Sequence, residues 1–125
     1  MPFVAVVRPN LPIVPMTLFV PKAAIAGDTH GRLTWGAAQA GVAAGVGVAL
    51  ECGDVAAKSV SHLVLIAAVW VDPDAGDEEA VFANNRDATA AALAMGARGG
   101  PEVNDVLTAL RDTGPQNPYF RRAAT

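Results

Sequence analysis

The chain has 125 residues, enough for one domain with a buried core. With 52% hydrophobic and only 17% charged residues it is too apolar to stay disordered, and its many Ala and Val residues predict tight packing of small side chains. A net charge of −3, no basic run and 6% aromatic content argue against a nucleic-acid surface. The single cysteine, Cys52, excludes an internal disulfide framework and a cysteine-only metal site.

Phe3 to Val7 reads as a β-branched strand. "RPNLPIVP" reads as irregular, because three prolines remove backbone donors and Asn10 favours turns. A second strand resumes from Thr17 to Val20 and extends as far as Ile25; Pro21 within it predicts an edge or bulged strand. "AGDTHGR" then reads as a loop, which leaves His30 solvated. The spacing predicts a helix from Trp35 or Gly36 to Glu51, where Val42, Val46 and Leu50 recur every four residues as an apolar stripe. Glycine costs about 1 kcal/mol in a helix interior. Gly41 and Gly45, four apart, therefore imply close approach to a sheet or another helix, and Gly53 is placed to cap the helix.

"VSHLVLIAAVWV", Val60 to Val71, is the strongest strand, and its near-continuous apolarity predicts cover on both faces. After "DPDAG" turns the chain, Asp77 caps a second helix whose positive end suits Glu78 and Glu79; it runs to Met95 and ends at Gly96. A third helix starts at Pro101, with Val103, Val106, Leu107 and Leu110 on one face, and stops at Gly114 and Pro115. Residues 1–114 thus form one domain and 115–125 a tail. The order is β-β-α-β-α-α, an α+β pattern. Three strands are few for helices this apolar, which implies a missing strand or an oligomer that supplies the cover. Prolines at 9, 12 and 15 interrupt the first apolar stretch, so no signal peptide is read, and the run Ala37–Leu50 is shorter than the ~20 residues a membrane span needs. The expected location is cytoplasmic, with no membrane partner.

Few side chains carry obvious chemistry. "DPDAGDEE" places five carboxylates within eight residues, yet no histidine joins them, and capping and dipole roles explain them without a metal. Cys52 reads as a buried, inert thiol, and Trp35 and Trp70 as core or interface anchors. On the residues alone, Lys22 is a charge that discourages edge pairing, Gln39 a solvated helix residue, and His62 a cap or packing residue at a strand start.

Residues 4–22, "VAVVRPNLPIVPMTLFVPK", are followed by "WGAAQAGVAAGVGVALECG". The pair resembles the blocks "LAVVRPNLP…P.TL..PK" and "GPAQ..VA..V..A" of the formaldehyde-activating enzyme family, and the spacing between blocks matches. "VWVDPDA" and "NNRDAT" resemble later family blocks more weakly, so the resemblance runs from about Val4 to about Leu93. It implies a fold like the second domain of ribosomal protein S5, a sheet packed against helices, here without the family's first strand. It also implies a homo-oligomer, a pentamer, with sites between subunits. The implied reaction is that of a lyase of one-carbon metabolism: formaldehyde condenses with tetrahydromethanopterin, or a similar reduced pterin, with loss of water. No metal is implied.

The resemblance also assigns residues. Lys22 matches the family's lysine and Gln39 the glutamine of its "AQ". Val4 stands where a leucine contacts the pterin, and Ala24 where a threonine does, so one hydrogen bond is lost. In the reaction an amine adds to formaldehyde and the carbinolamine then loses hydroxide, a poor leaving group that a general acid helps by a factor of about 10² to 10⁴. The family's acid is a histidine in an upstream "AHIDL" segment that has no counterpart in these residues. The acid would then be His30, Asp72 or a residue of another chain. The alternatives are a non-catalytic ligand-binding or assembly module, or a scaffold recruited to another small-molecule reaction.

Overall fold

Ala5 divides the first apolar stretch between two sheets in the computed structural model, which describes residues 1–111. Strand β1 (Phe3–Val4) precedes it and β2 (Val6–Arg8) follows, where a single strand to Val7 was expected. The Ala5 N–H donates to Thr17 O at 2.9 Å, and its carbonyl accepts from Ile13 N–H at 3.2 Å. The residue is fully buried where the two sheets meet, and a small side chain suits the tight space. β2 turns through Asn10, at φ 66°, into β3 (Leu11–Pro12). The stretch expected to be irregular therefore holds a short antiparallel hairpin, with Val6 opposite Pro12. Asparagine tolerates the left-handed turn, and Pro12 takes a place in the ladder at the hairpin's end, where little pairing is lost.

Strand β4 (Met16–Pro21) is the middle of the larger sheet, and not the edge that Pro21 suggested. It runs antiparallel to β1, with Phe3 opposite Phe19, and parallel to β5 (Val64–Val69), with Phe19 opposite Ala67. The next residue, Lys22, donates its N–H to Val69 O at 2.7 Å. Successive peptides alternate sides, so the missing donor of Pro21 faces the β1 side, past the end of that short strand. β5 is shorter than the apolar run Val60–Val71, and its two faces differ. Leu65, Ala67 and Val69 are half-buried under the helices, whereas Val64 is 57% and Ile66 71% exposed. The expectation of cover on both faces is therefore corrected: the outer face is apolar and uncovered among the described residues.

The helical layer begins earlier than the sequence suggested. α1 (Asp28–Arg32), a π-helical segment (Leu33–Ala38) and α2 (Gln39–Cys52) form one continuous run. Gly27 turns the chain at φ 101°, and Thr34 Oγ1 donates to His30 O at 2.8 Å, which replaces the expected loop with a helical turn. The run Asp28–Cys52 has 25 residues and is, by length and composition, long enough to cross a membrane, unlike the shorter run read from sequence. Over half of its most apolar window, 56%, is buried inside this fold, as in a core helix. Gly53 caps α2 in the left-handed conformation at φ 80°, as expected.

α3 (Glu78–Ala97) starts at its expected cap, where Asp77 Oδ1 accepts from Ala80 N–H at 3.0 Å. It passes through Gly96 and ends before a left-handed turn at Gly99. α4 (Val103–Arg111) starts two residues after Pro101. The expected stop at Gly114 and Pro115, the domain boundary at 114 and the tail lie outside the described residues.

Two glycines set the spacing of the helical layer. A Cβ on Gly41 would collide with Phe82 O, and one on Gly45 would lie 2.6 Å from both Arg86 O and Thr89 Cβ. The close partner left open by the sequence is thus α3. On the sheet side, Val42 and Ala38 pack with Phe19, Leu33 and Val71, and Phe3 stacks on Phe19 with ring centroids 4.8 Å apart. Val46 and Ala43 pack with Ala5 and Ile13 in a second cluster. Trp35 and Trp70, read as core or interface anchors, are 56% and 62% exposed and lie outside the core of this chain. Cys52 is exposed and not the buried thiol expected. His62 is exposed in the turn before β5.

Candidate functional site

The segment after β4 is fixed by a buried imidazole. His30 is 1% exposed, and its Nδ1 accepts from Ala26 N–H at 3.0 Å. Its Nε2 lies 2.7 Å from Val71 O. A carbonyl only accepts and a backbone N–H only donates, so the proton sits on Nε2 and both nitrogens are engaged. The solvated loop histidine of the sequence reading is thus a clamp between the end of β5 and the Lys22–Ala26 segment. In this arrangement neither nitrogen is open to a ligand.

The clamped segment walls a hollow at the β1 side of the molecule. Lys22 and Ala24, both exposed, line it with Phe3, Ile25 and Trp35. Ile25 and Trp35 also wall the adjoining hollow, which Gly31 and Arg32 complete. Trp35 is the residue sequence reasoning missed in this role. The signal was its place four residues before Gln39, which puts both on one helical face.

Gln39 is half-buried, and its Oε1 accepts from Val6 N–H at 3.0 Å. This bond meets a donor of β2 that the hairpin leaves free, and it leaves the Gln39 amide NH₂ without a partner among the described residues. Val4 lies on β1, opposite Leu18, and is 37% exposed. Lys22 and Ala24 thus share one hollow with Trp35, whereas Gln39 also lines a separate hollow with Phe82 and Arg86 of α3, and Val4 lies on β1.

Asp72 lines neither hollow. It follows Val71, the residue that His30 holds, but its carboxylate is exposed and accepts from Asp74 N–H at 2.9 Å. It stabilises its own turn. On α3, Arg86 Nε donates to Asp87 Oδ1 at 2.8 Å, and this hydrogen bond with the charge of Asp87 raises the Arg86 pKa. Arginine is already cationic, so no pH switch follows. Among the described residues no three His, Cys, Asp or Glu side chains converge as a metal site would require.

A model of the family described as formaldehyde-activating enzyme (Fae) matches residues 1–116. A bifunctional enzyme Fae/Hps of Methanosarcina barkeri is 36% identical over 106 residues, 85% of this chain and 27% of the relative. The protein of the same name from Methanococcoides burtonii is 38% identical over the same share of each chain. That of Methanocella arvoryzae is 37% identical over 113 residues, 90% of this chain and 28% of its own. The chain thus spans about a quarter of the length of the curated relatives it matches, 27% to 28%. Since the family match contains every strand and helix around Lys22 and Gln39, the chain belongs to the formaldehyde-activating enzyme family.

Proposed function

We propose that this chain activates formaldehyde by condensing it with a reduced pterin, tetrahydromethanopterin or a close relative, along the margin between Lys22 and Gln39. The carrying observation is the Gln39 amide: its oxygen is engaged by Val6 N–H, so its NH₂ is the half left for a ligand, on the helical face of the exposed Trp35. The indole offers a flat surface for a pterin ring. Lys22 supplies a positive charge for a carbonyl or acidic group, and the Gln39 NH₂ a donor for the ring edge. Val4 and Ala24 complete the contact with apolar surface.

The chemistry asks for binding and one proton delivery. A pterin amine nitrogen bonds to the formaldehyde carbon, and the carbonyl oxygen takes up the proton the nitrogen releases. The C–O bond of this carbinolamine then breaks, with protonation of the oxygen so that water leaves. The second pterin amine closes on the resulting iminium and loses its proton. His30 is a positioning residue in this reading, because both its nitrogens hold backbone. Asp72 holds its own turn. The acid comes from outside the described residues, which accords with a site between subunits of a homo-oligomer, a pentamer on the family likeness. The S5-like fold is retained as part of the same reading.

A second reading, a ligand-binding module without turnover, is favoured by the engagement of both His30 nitrogens. Stopped-flow condensation of formaldehyde with tetrahydromethanopterin at low concentration separates the two. The expected result is a rate above the uncatalysed background that falls about tenfold in Lys22→Ala, the effect of one lost charged contact. A background rate with calorimetric pterin binding selects the second reading. A background rate with no binding overturns both.

A further inference from the structure

The backbone between the end of β4 and the start of α1 is held at two points. Lys22 N–H donates to Val69 O at 2.7 Å, and Ala26 N–H donates to His30 Nδ1 at 3.0 Å. Between them the N–H groups of Ala23, Ala24 and Ile25 meet no partner among the described residues. Those three residues wall the hollow of Lys22, and Ile25 lies against Gly31 beside Trp35. The shape of that wall therefore rests on one hydrogen bond to a group that titrates.

The two bonds of the imidazole respond oppositely to a second proton. Nε2 already carries its proton and donates it to Val71 O at 2.7 Å, so this bond survives when the ring is charged. Nδ1 accepts, and a proton there sets two N–H groups against each other. Ala26 is exposed, so its N–H has water to turn to, whereas His30 is 1% exposed and a charge on it is left with one carbonyl. Movement of the Ala26 side lets water reach the ring. The charged groups on the elements around it are Asp28 and Arg32 of its own helix, Lys22 of the clamped segment, Asp72 and Asp74 after β5, and Glu78 at the start of α3. All six are exposed and none is hydrogen-bonded or salt-bridged to the imidazole, so solvent screens them and no carboxylate offsets the charge in place.

We propose that His30 is a pH latch on the lysine hollow: a second proton on its imidazole opens the Ala26 side, keeps the Val71 side, and frees the wall Ala23–Ala26 in mild acid. The open form binds one proton more than the latched form, so lowering the pH shifts the balance toward it. Lys22 keeps its backbone bond to Val69 and stays at the head of the wall, while Ala24 and Ile25 are released from the hollow. Whatever is bound against this wall is held above the transition and let go below it. The latch is a property of the chain alone and does not rest on the pterin reading.

NMR on the full chain from about pH 8 to about pH 5 spans the interval in which imidazoles change charge. Long-range nitrogen–proton spectra read which ring nitrogen is protonated, and amide exchange, corrected for its intrinsic pH dependence, reads the backbone. The expected result is a bare Nδ1 at the upper end of the range. Protection at Ala26 then falls about tenfold, the loss of one hydrogen bond, with the same midpoint as protonation of Nδ1, while protection of β5 stays constant. In His30→Gln, whose amide offers an acceptor and a donor but does not titrate here, Ala26 protection is flat over the range. His62→Gln, which removes the exposed second histidine, leaves the Ala26 transition unchanged. A ring that carries a proton on Nδ1 at the upper end, that stays neutral throughout, or that charges while Ala26 keeps its protection overturns the proposal. So does the same transition in folded His30→Gln, or a joint loss at Ala26 and β5, which is acid unfolding of the whole chain. Should His30→Gln fail to fold, the comparison of Ala26 with β5 inside the unaltered chain decides.

Discussion

Along the β1 margin, backbone donors that leave the sheet are met by side chains from the helical layer: Val6 N–H by Gln39 and Ala26 N–H by His30. Along the β5 margin no side chain among the described residues does this, and apolar residues such as Val64 and Ile66 are exposed. The first margin has small, largely apolar hollows shaped by Lys22, Ile25 and Trp35. The second is apolar along all six residues of β5, which its ladder with β4 holds in place. The difference teaches that a sheet can be finished on one side by capping its donors and left on the other in a form that only more backbone can finish.

The largest break of this contrast is His30→Ala. It opens a cavity and strands Ala26 N–H and Val71 O, at a cost of about 3–4 kcal/mol by urea unfolding. The loss should loosen Lys22–Ala26 before it touches β5, seen as faster amide exchange there. Gly45→Val comes next. Its side chain meets Arg86 O and Thr89, so a loss of about 2–3 kcal/mol is expected in the same measurement, with α3 displaced from the β5 side. Gln39→Ala leaves Val6 N–H without its partner and costs about 1–2 kcal/mol, together with weaker pterin binding by calorimetry. Ile66→Lys is the smallest. It stands on an exposed face, so stability should change by less than about 0.5 kcal/mol while solubility rises.

The helix pair and the family were legible because their signals are local. Gly41 and Gly45 at a four-residue interval announce close packing, and the two sequence blocks hold Lys22 and Gln39 at a fixed separation. What the sequence hid depends on tertiary partners. Pro21 reads as an edge signal, yet it sits at the end of a central strand because β1 stops short of it. His30 lies among loop formers, and only the approach of Val71, far along the chain, makes it a buried clamp. An apolar run such as "VLIAAV" cannot disclose which face is covered, since both faces of β5 are apolar while the helices cover only one. Trp35 was hidden for the opposite reason, as large aromatic residues usually pack inside.

The π-helical segment Leu33–Ala38 stands between His30 and Gln39, the two side chains that close the β1 margin. A π turn accommodates one more residue than an α turn. In genetic terms the segment is a counter. Loss of a single codon within it would restore an uninterrupted α-helix with the stretches before and after in nearly the same phase. The wide turn therefore lets the run hold one residue more than an α-helix would between His30 and Gln39 while each still faces its backbone partner.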